Sequence, residues 1–324
     1  MERDKTIDNL RGMAMLAMIV IHSISYFFSD KLSFLIWDYS QWAVPVFFFC
    51  SFYLFFKSSK KIGLLQYLKK RFLKLFIPYY IFLGFFYILL YLFEKKSFFN
   101  LNYLKANIFL YGGLDFNWLV LIFVYLTLLL PLIVWFRKNK FLYYGYFILS
   151  LFSSIYFIFV KTNYRLTMWL PWSVLIYFTI YFIEKEKNKI KLLLISFISL
   201  LIFLVIRVVE IKIGHNLSQY ANKYPPTLYH LSYGIFSIII IFLLSKKNIF
   251  NFLNFDKLLN FLSINSYSLF FIHILVMYYL NWKNLKTSNW FTFFLLIFII
   301  SSIIQLSLNY LNKYSLLVRY ITHK

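Results

Sequence analysis

Ten runs of mostly apolar residues, each near the length of a membrane-crossing helix, follow one another along almost the whole chain. A bilayer core takes ~20 such residues per helix, with a range of about 17–25. The runs fall near 12–28, 37–56, 75–93, 116–136, 141–160, 166–183, 190–209, 227–244, 262–280 and 290–311. They predict an all-α polytopic membrane protein of about ten helices, organised as a single integral-membrane domain over 1–324. The stretch from Phe98 to Tyr111 is too short and too polar to cross and reads as an interfacial segment.

Composition supports this. Hydrophobic residues make up 62% and charged residues 14% of the chain, against about 45–50% and about 25% in soluble domains. That excludes a soluble enzyme or nucleic-acid binder as the default. The net charge of +23 then points to cytoplasmic loops and anionic lipid headgroups rather than to nucleic acid. Of the 34 Lys and Arg, 23 fall on the N-terminus and alternate loops counted from it, and 11 on the other loops. The excess predicts both termini in the cytoplasm of a multi-pass protein of the cell (plasma or inner) membrane. The largest basic cluster runs from Lys57 to Lys74. The single cysteine, Cys50, gives no disulfide framework and no thiolate metal cluster. The first span lacks a small-x-small cleavage site and carries His22, so it reads as a retained helix rather than a signal peptide. No internal repeat or soluble domain stands out.

Ionisable groups inside a bilayer are costly and usually face a partner or a cavity. Arg11 and His22 are eleven residues apart, close to three full turns, which places them on one helix face with a rise of ~16 Å between them. On that spacing Arg11 sits at the cytoplasmic rim and His22 near mid-membrane. Asp8, one turn earlier, can pair with Arg11 if the helix extends that far. The plainer reading is a snorkelling Arg and a packing His. In the cluster Lys69, Lys70, Arg71 and Lys74 ahead of Pro78, the spacing of Lys70, Arg71 and Lys74 puts these three on one side of a helix start, where they could grip a polyanion, or simply anchor the positive-inside loop. His273 also reaches mid-depth, as a second polar group in the same cavity or as a packing histidine. His230, Asp38, Arg165, Arg207 and Glu210 lie toward the outer face, where Arg207 and Glu210 could neutralise each other. No Walker loop, GxGxxG or metal-ligand spacing is present.

These residues together resemble the membrane-bound acyltransferase-3 family. Thr6-Ile7-Asp8-Asn9-Leu10-Arg11-Gly12, with His22 after ten intervening residues, is similar to that family's Asp-x-Leu-Arg-Gly opening and Arg-x10-His motif. Val44 to Ser51 resembles its Val-Pro-x-Phe-Phe-x-x-Ser-Gly, and Lys70-Arg71-Phe72 through Pro78-Tyr79 its basic run before Pro-Tyr. Trp118-Leu119 through Pro131 resembles its Trp-Phe-Leu span, and Ser266 through His273 its late Ser-x-x-(Tyr/Phe)-x-x-His helix. Two positions depart: Phe52 stands where a Gly is expected, and Arg71-x-x-Lys74 replaces Arg-x-x-Arg, giving up one bidentate fork. The chain ends at Lys324, so the SGNH-type esterase domain of some members is expected to be absent.

The resemblance implies an acyltransferase that moves an acyl group, acetyl first, from cytoplasmic acetyl-CoA to a hydroxyl of a cell-envelope polysaccharide or lipid-linked sugar. It implies a catalytic group of His22 as base with Arg11 and Asp8, Asp8 orienting Arg11, and it implies Arg71, Lys74, Lys70 and Arg11 as the CoA-phosphate ligands. Trp118 and His273 would line the substrate cavity. Acyl-CoA would serve as co-substrate with no metal. Its partners would be the glycan acceptor and membrane lipids, with no nucleic acid. A transporter or flippase for a glycolipid or polysaccharide precursor is the alternative, with the polar stripe as its path.

Overall fold

The computed structural model describes residues 4–28, 30–58, 63–95 and 100–311. Residues 60 and 61 of the basic cluster and the C-terminal basic residues lie outside the described residues. The chain is an all-α, multi-pass membrane protein. Its helices are α1 (Lys5–Ile24), α2 (Lys31–Tyr39), α3 (Ala43–Lys57), α4 (Leu64–Leu92), α5 (Leu101–Ile108), α6 (Trp118–Phe136), α7 (Lys140–Phe159) and α8 (Tyr164–Thr167). They continue with α9 (Trp169–Trp172), α10 (Val174–Lys185), α11 (Lys189–Ile213), α12 (Leu228–Lys246), α13 (Phe255–Ile264), α14 (Ser266–Trp282) and α15 (Trp290–Leu311). No strand forms among the described residues.

Eight helical segments among the described residues are long and apolar enough to cross a membrane, and α13 with α14, bent by 88° at Asn265, adds a ninth if the pair is one span. The expected span at 166–183 is instead three short helices, α8 to α10. Pro171 has no N–H to give to the ladder, and bonds three residues back take over at Ser173 to Leu170 and Ile176 to Ser173. Of the segment over 98–111, residues 98 and 99 lie outside the described residues, and the rest holds the eight-residue α5, far too short to span. Asn107 in α5 is buried and accepts from the Leu114 N–H at 2.9 Å, while Tyr79 donates to its carbonyl at 2.7 Å.

Helices α7, α11 and α15 are predominantly apolar, yet only 22% of the most apolar stretch of each is buried. Phe141, Phe152, Phe197, Val205 and Ile303 point outward on them. In water such helices would not persist, whereas in lipid a helix satisfies its own backbone and needs no apolar partner. By contrast α1 and α12 are 67% and 61% buried.

Two compact bodies make up the fold. The first comprises Met1–Ala17, Asp38–Lys61 and Tyr125–Ile264. Its core is the aromatic set Phe48, Phe49, Trp172, Phe182 and Phe242, with Phe48 edge-on to Trp172 at 4.7 Å and Phe182 edge-on to Phe242 at 4.8 Å. Two backbone approaches are made with glycine. A Cβ on Gly12 of α1 would stand 2.3 Å from the Leu259 carbonyl oxygen of α13, and one on Gly234 of α12 would stand 2.6 Å from Pro45 of α3. The second contact brings α12 close to α3, the helix in which Phe52 stands where a Gly was expected. Phe52 is fully buried and stacks on Phe48 at 6.2 Å.

The second body comprises Met18–Trp37, Ile62–Val124 and Asn265–Lys324. Here α14 packs on α4 and α15, with Tyr79, Phe82, Phe86 and Phe271 in the core. Ser268 donates to Gln305 at 2.7 Å, and Gln305 donates to Asn265 at 3.2 Å, which ties α14 to α15 at the bend.

Candidate active site

Helix α1 is unbroken from Lys5 to Ile24, so Asp8, Arg11 and His22 hold the spacing that puts them on one face, and the ~16 Å rise from Arg11 to His22 stands. All three are half-buried, while Ile7, Leu10, Met15, Met18 and Ile19 are buried. The helix starts and ends earlier than the expected span of 12–28. His22 therefore lies in its last turn rather than near its middle.

His22 belongs to the second body and has its partner within it. Its Nδ1 lies 2.7 Å from Nε2 of His273, which is fully buried at the middle of α14. The ring centroids are 5.0 Å apart and the planes differ by 14°, as for two imidazoles set end to end in nearly one plane through a single N–H···N bond. Nδ1 of His273 in turn donates to the Leu269 carbonyl at 2.8 Å, one turn back on the same helix. Phe270 flanks both rings, 6.1 Å from His22 and 5.7 Å from His273, and stands edge-on to Phe116 at 6.1 Å. Tyr267 donates to the Leu75 carbonyl at 2.8 Å, fixing α14 against α4. The pairing joins residues 251 positions apart, and no local pattern in the sequence announces it.

The remaining expected residues fall in separate places. In the first body Asp8 accepts a 2.8 Å bond from Ser263 of α13. Beside it Asn9 donates to Ser245 at 2.9 Å, and Lys5 pairs with Asp256 at 2.8 Å. Tyr53 and Lys57 both bond Glu186, at 2.8 and 2.6 Å. In the second body Lys70 and Lys74 are exposed one turn apart on α4, and Arg71 is half-buried with its guanidinium 5.9 Å from the Tyr67 ring centre. These cations lie inside α4, which begins at Leu64, rather than at a helix start. Trp118 is buried at the first residue of α6.

Toward the other end of the first body, Arg207 bonds Tyr39 at 2.8 Å and Tyr229 at 3.4 Å. Glu210 accepts from Asn222 at 3.3 Å and lies 3.8 Å from His215, so the direct bonds of Arg207 and Glu210 go to separate partners, while the Arg207 charge still acts on the Glu210 carboxylate. His230 is buried against Gln219 at 3.0 Å, and Arg165 lies over Tyr164 at 5.4 Å.

Sequence reasoning passed over Lys223, between α11 and α12. It is buried, donates to Gln41 at 2.7 Å and sits 4.9 and 4.8 Å from the Tyr220 and Tyr224 ring centres. Burial pushes its ammonium down to about 7, against the opposing pull of the Asp38 carboxylate. Asp38 itself accepts from Ser218 at 2.6 Å and from the Tyr220 N–H at 3.2 Å, so the 214–227 loop is strapped to the last turn of α2.

Among the described residues, no three His, Cys, Asp or Glu side chains gather as metal ligands would. Searches of curated proteins and of solved structures return no match. A sequence profile described as an acyltransferase domain, that of the acyltransferase 3 family, matches residues 4–318. The span covers the Arg11-x10-His22 helix, the basic run on α4 and the His273 helix. The chain belongs to the acyltransferase 3 family.

Proposed function

We propose that this membrane acyltransferase takes an acyl group, acetyl first, from acyl-CoA on the cytoplasmic side of the plasma or inner membrane. It delivers the group to a hydroxyl of a cell-envelope polysaccharide or lipid-linked sugar, with the whole chain acting as one domain and both termini cytoplasmic. The observation that carries this reading is the His22 imidazole, set on the Arg-x10-His helix and hydrogen-bonded to a second imidazole inside aromatic walls. A neutral imidazole is the side chain best suited to take a hydroxyl proton near neutral pH.

In the proposed step, His22 removes the proton as the acceptor oxygen attacks the thioester carbonyl. The C–S bond breaks, and the departing thiolate takes the proton back from His22. The ~16 Å from Arg11 to His22 along α1 suits a pantetheine arm whose phosphates rest on cations at the near end. Arg11, Arg71, Lys74 and Lys70 are the proposed phosphate ligands, and Asp8 the residue that orients Arg11. Trp118 would line the acceptor side. Arg71 brings a bidentate fork, where Lys74 brings a point charge.

Inverted membrane vesicles given radiolabelled acetyl-CoA test the reading, comparing wild type with His22→Ala at matched expression. Label in the glycan or glycolipid fraction with wild type alone is the expected result. Full transfer by His22→Ala would remove the base. Substrate movement without any acyl-CoA dependence would favour the transporter alternative.

A further inference from the structure

We infer that His273 is a positioning residue that selects the tautomer of His22, and that Nε2 of His22 is therefore the atom that receives the acceptor's proton. The kinetic arm of this inference rests on the acyl-transfer reading, and its structural arm does not.

The chain of reasoning starts at a backbone carbonyl. The Leu269 oxygen can only accept, so the 2.8 Å contact from His273 Nδ1 requires a proton on that nitrogen. A neutral imidazole carries one N–H, which leaves His273 Nε2 with its lone pair in the ring plane. That lone pair faces His22 Nδ1 at 2.7 Å, with the two rings within 14° of one plane. His22 Nδ1 must then be the donor. Neutral His22 is thereby held as the Nδ1–H tautomer, and Nε2 is the atom with base character.

The orienting group of this relay is the helix itself. Leu269 lies four residues before His273, so its oxygen is the one that α14's own ladder offers to the His273 N–H, and its second lone pair takes the side chain. The ring is buried and wedged by Phe270, which limits its rotation. In other folds a carboxylate holds the base in its tautomer, and removing that control costs about 10⁴ in kcat. Here an uncharged imidazole does so, which spares the low-dielectric interior an anion. During transfer the proton passes from the acceptor hydroxyl to His22 Nε2 and then to the thiolate. Nδ1–H of His22 and Nδ1–H of His273 keep their bonds throughout, and no proton is exchanged with Leu269.

The test pairs nitrogen NMR with kinetics on the full-length protein in nanodiscs, ¹⁵N-labelled at histidine, using wild type, His273→Leu, His273→Gln and His22→Ala for assignment. Wild type is expected to show pyrrole-type Nδ1 and pyridine-type Nε2 at His22. In His273→Leu the Nε2–H form that free imidazole side chains favour should take over. With acetyl-CoA and a host glycolipid extract, His273→Leu should lose about 10²-fold or more in kcat with KM for acetyl-CoA unchanged. His273→Gln, whose amide oxygen can accept from Nδ1–H, should recover most of the loss. An Nε2–H tautomer in wild type overturns the inference, as does full kcat in His273→Leu. Equal damage in the Leu and Gln variants with a raised KM would assign His273 to packing and overturn it too. If wild type transfers no acyl group, the acyl-transfer reading fails while the nitrogen spectra still decide the tautomer. Should His273→Leu not fold, the wild-type and Gln spectra decide it.

Discussion

Replacing Gly12 by alanine places a methyl group where α13 already stands. The new Cβ would lie 2.3 Å from the Leu259 carbonyl oxygen and 2.7 Å from its Cα, both backbone atoms, whereas ordinary contacts begin at 3.4 Å. No rotamer relieves a clash with backbone, so α1 and α13 must part by about 1 Å, at the upper end of the ~1–3 kcal/mol typical of overpacking. Gly84 on α4 is the matched control. A Cβ there meets nothing within 4 Å, so Gly84→Ala should be neutral or stabilising by up to about 1 kcal/mol through helix propensity and a less disordered unfolded chain. The two variants should therefore differ by about 3–4 kcal/mol. Unfolding in mixed detergent micelles, followed by the fluorescence of the eight tryptophans, measures the difference. Because α1 carries Asp8 and Arg11, Gly12→Ala should also depress acyl transfer, by as much as the ~10²-fold that a 1 Å misplacement can cost. Wild-type stability in Gly12→Ala, or equal destabilisation in Gly84→Ala, would refute the close-approach reasoning.

Two further outcomes follow from charged groups. Lys223 is held at about 7 in the folded protein against 10.5 as its ordinary value. The unfolded chain therefore binds the extra proton between those limits, and stability should rise as pH increases from about 7 to about 10 and stay flat below that window. Lys223→Met should remove that slope, read as the pH dependence of proteolysis in the 214–227 loop, and an unchanged slope would show that other groups produce it. On α4, Lys74→Gln and Lys70→Gln should raise KM for acetyl-CoA by up to ~5-fold, because both side chains are exposed. Arg71→Gln should raise it ~10-fold or more. All three effects should shrink with added salt at constant kcat; a kcat loss instead would place these cations elsewhere in the reaction.

Length and hydropathy made most of the helices legible, since a bilayer sets a minimum run that no short motif imitates. Residues 141–160 and 290–311 emerge as α7 and α15 almost to the residue. Ends were harder to read where polar residues continue a helix past the apolar run. Helix α4 begins at Leu64 and carries its cations within it, and α1 begins at Lys5. Residues 166–183 read as one span despite Pro171, and the 88° bend falls at Asn265, whose side chain accepts from Gln305 forty residues away. The same holds for the site. Helical periodicity aligned Arg11 with His22, yet the bond that gives His22 a defined chemistry comes from α14. Lys223 looked like an ordinary loop lysine because nothing local announces burial between two tyrosines and Gln41.

Cys50 is the one thiol in 324 residues. It is buried in α3, with its sulfur 3.8 Å from the Ile7 carbonyl. The natural sequence is thereby close to a silent background for thiol-reactive probes. Single cysteines introduced at exposed positions, such as Lys187 between α10 and α11 and Lys212 in the last turn of α11, could be tagged from one face of a sealed vesicle with no native residue removed first. A membrane-impermeant maleimide would then report directly which loops share a side, including the side on which the chain begins.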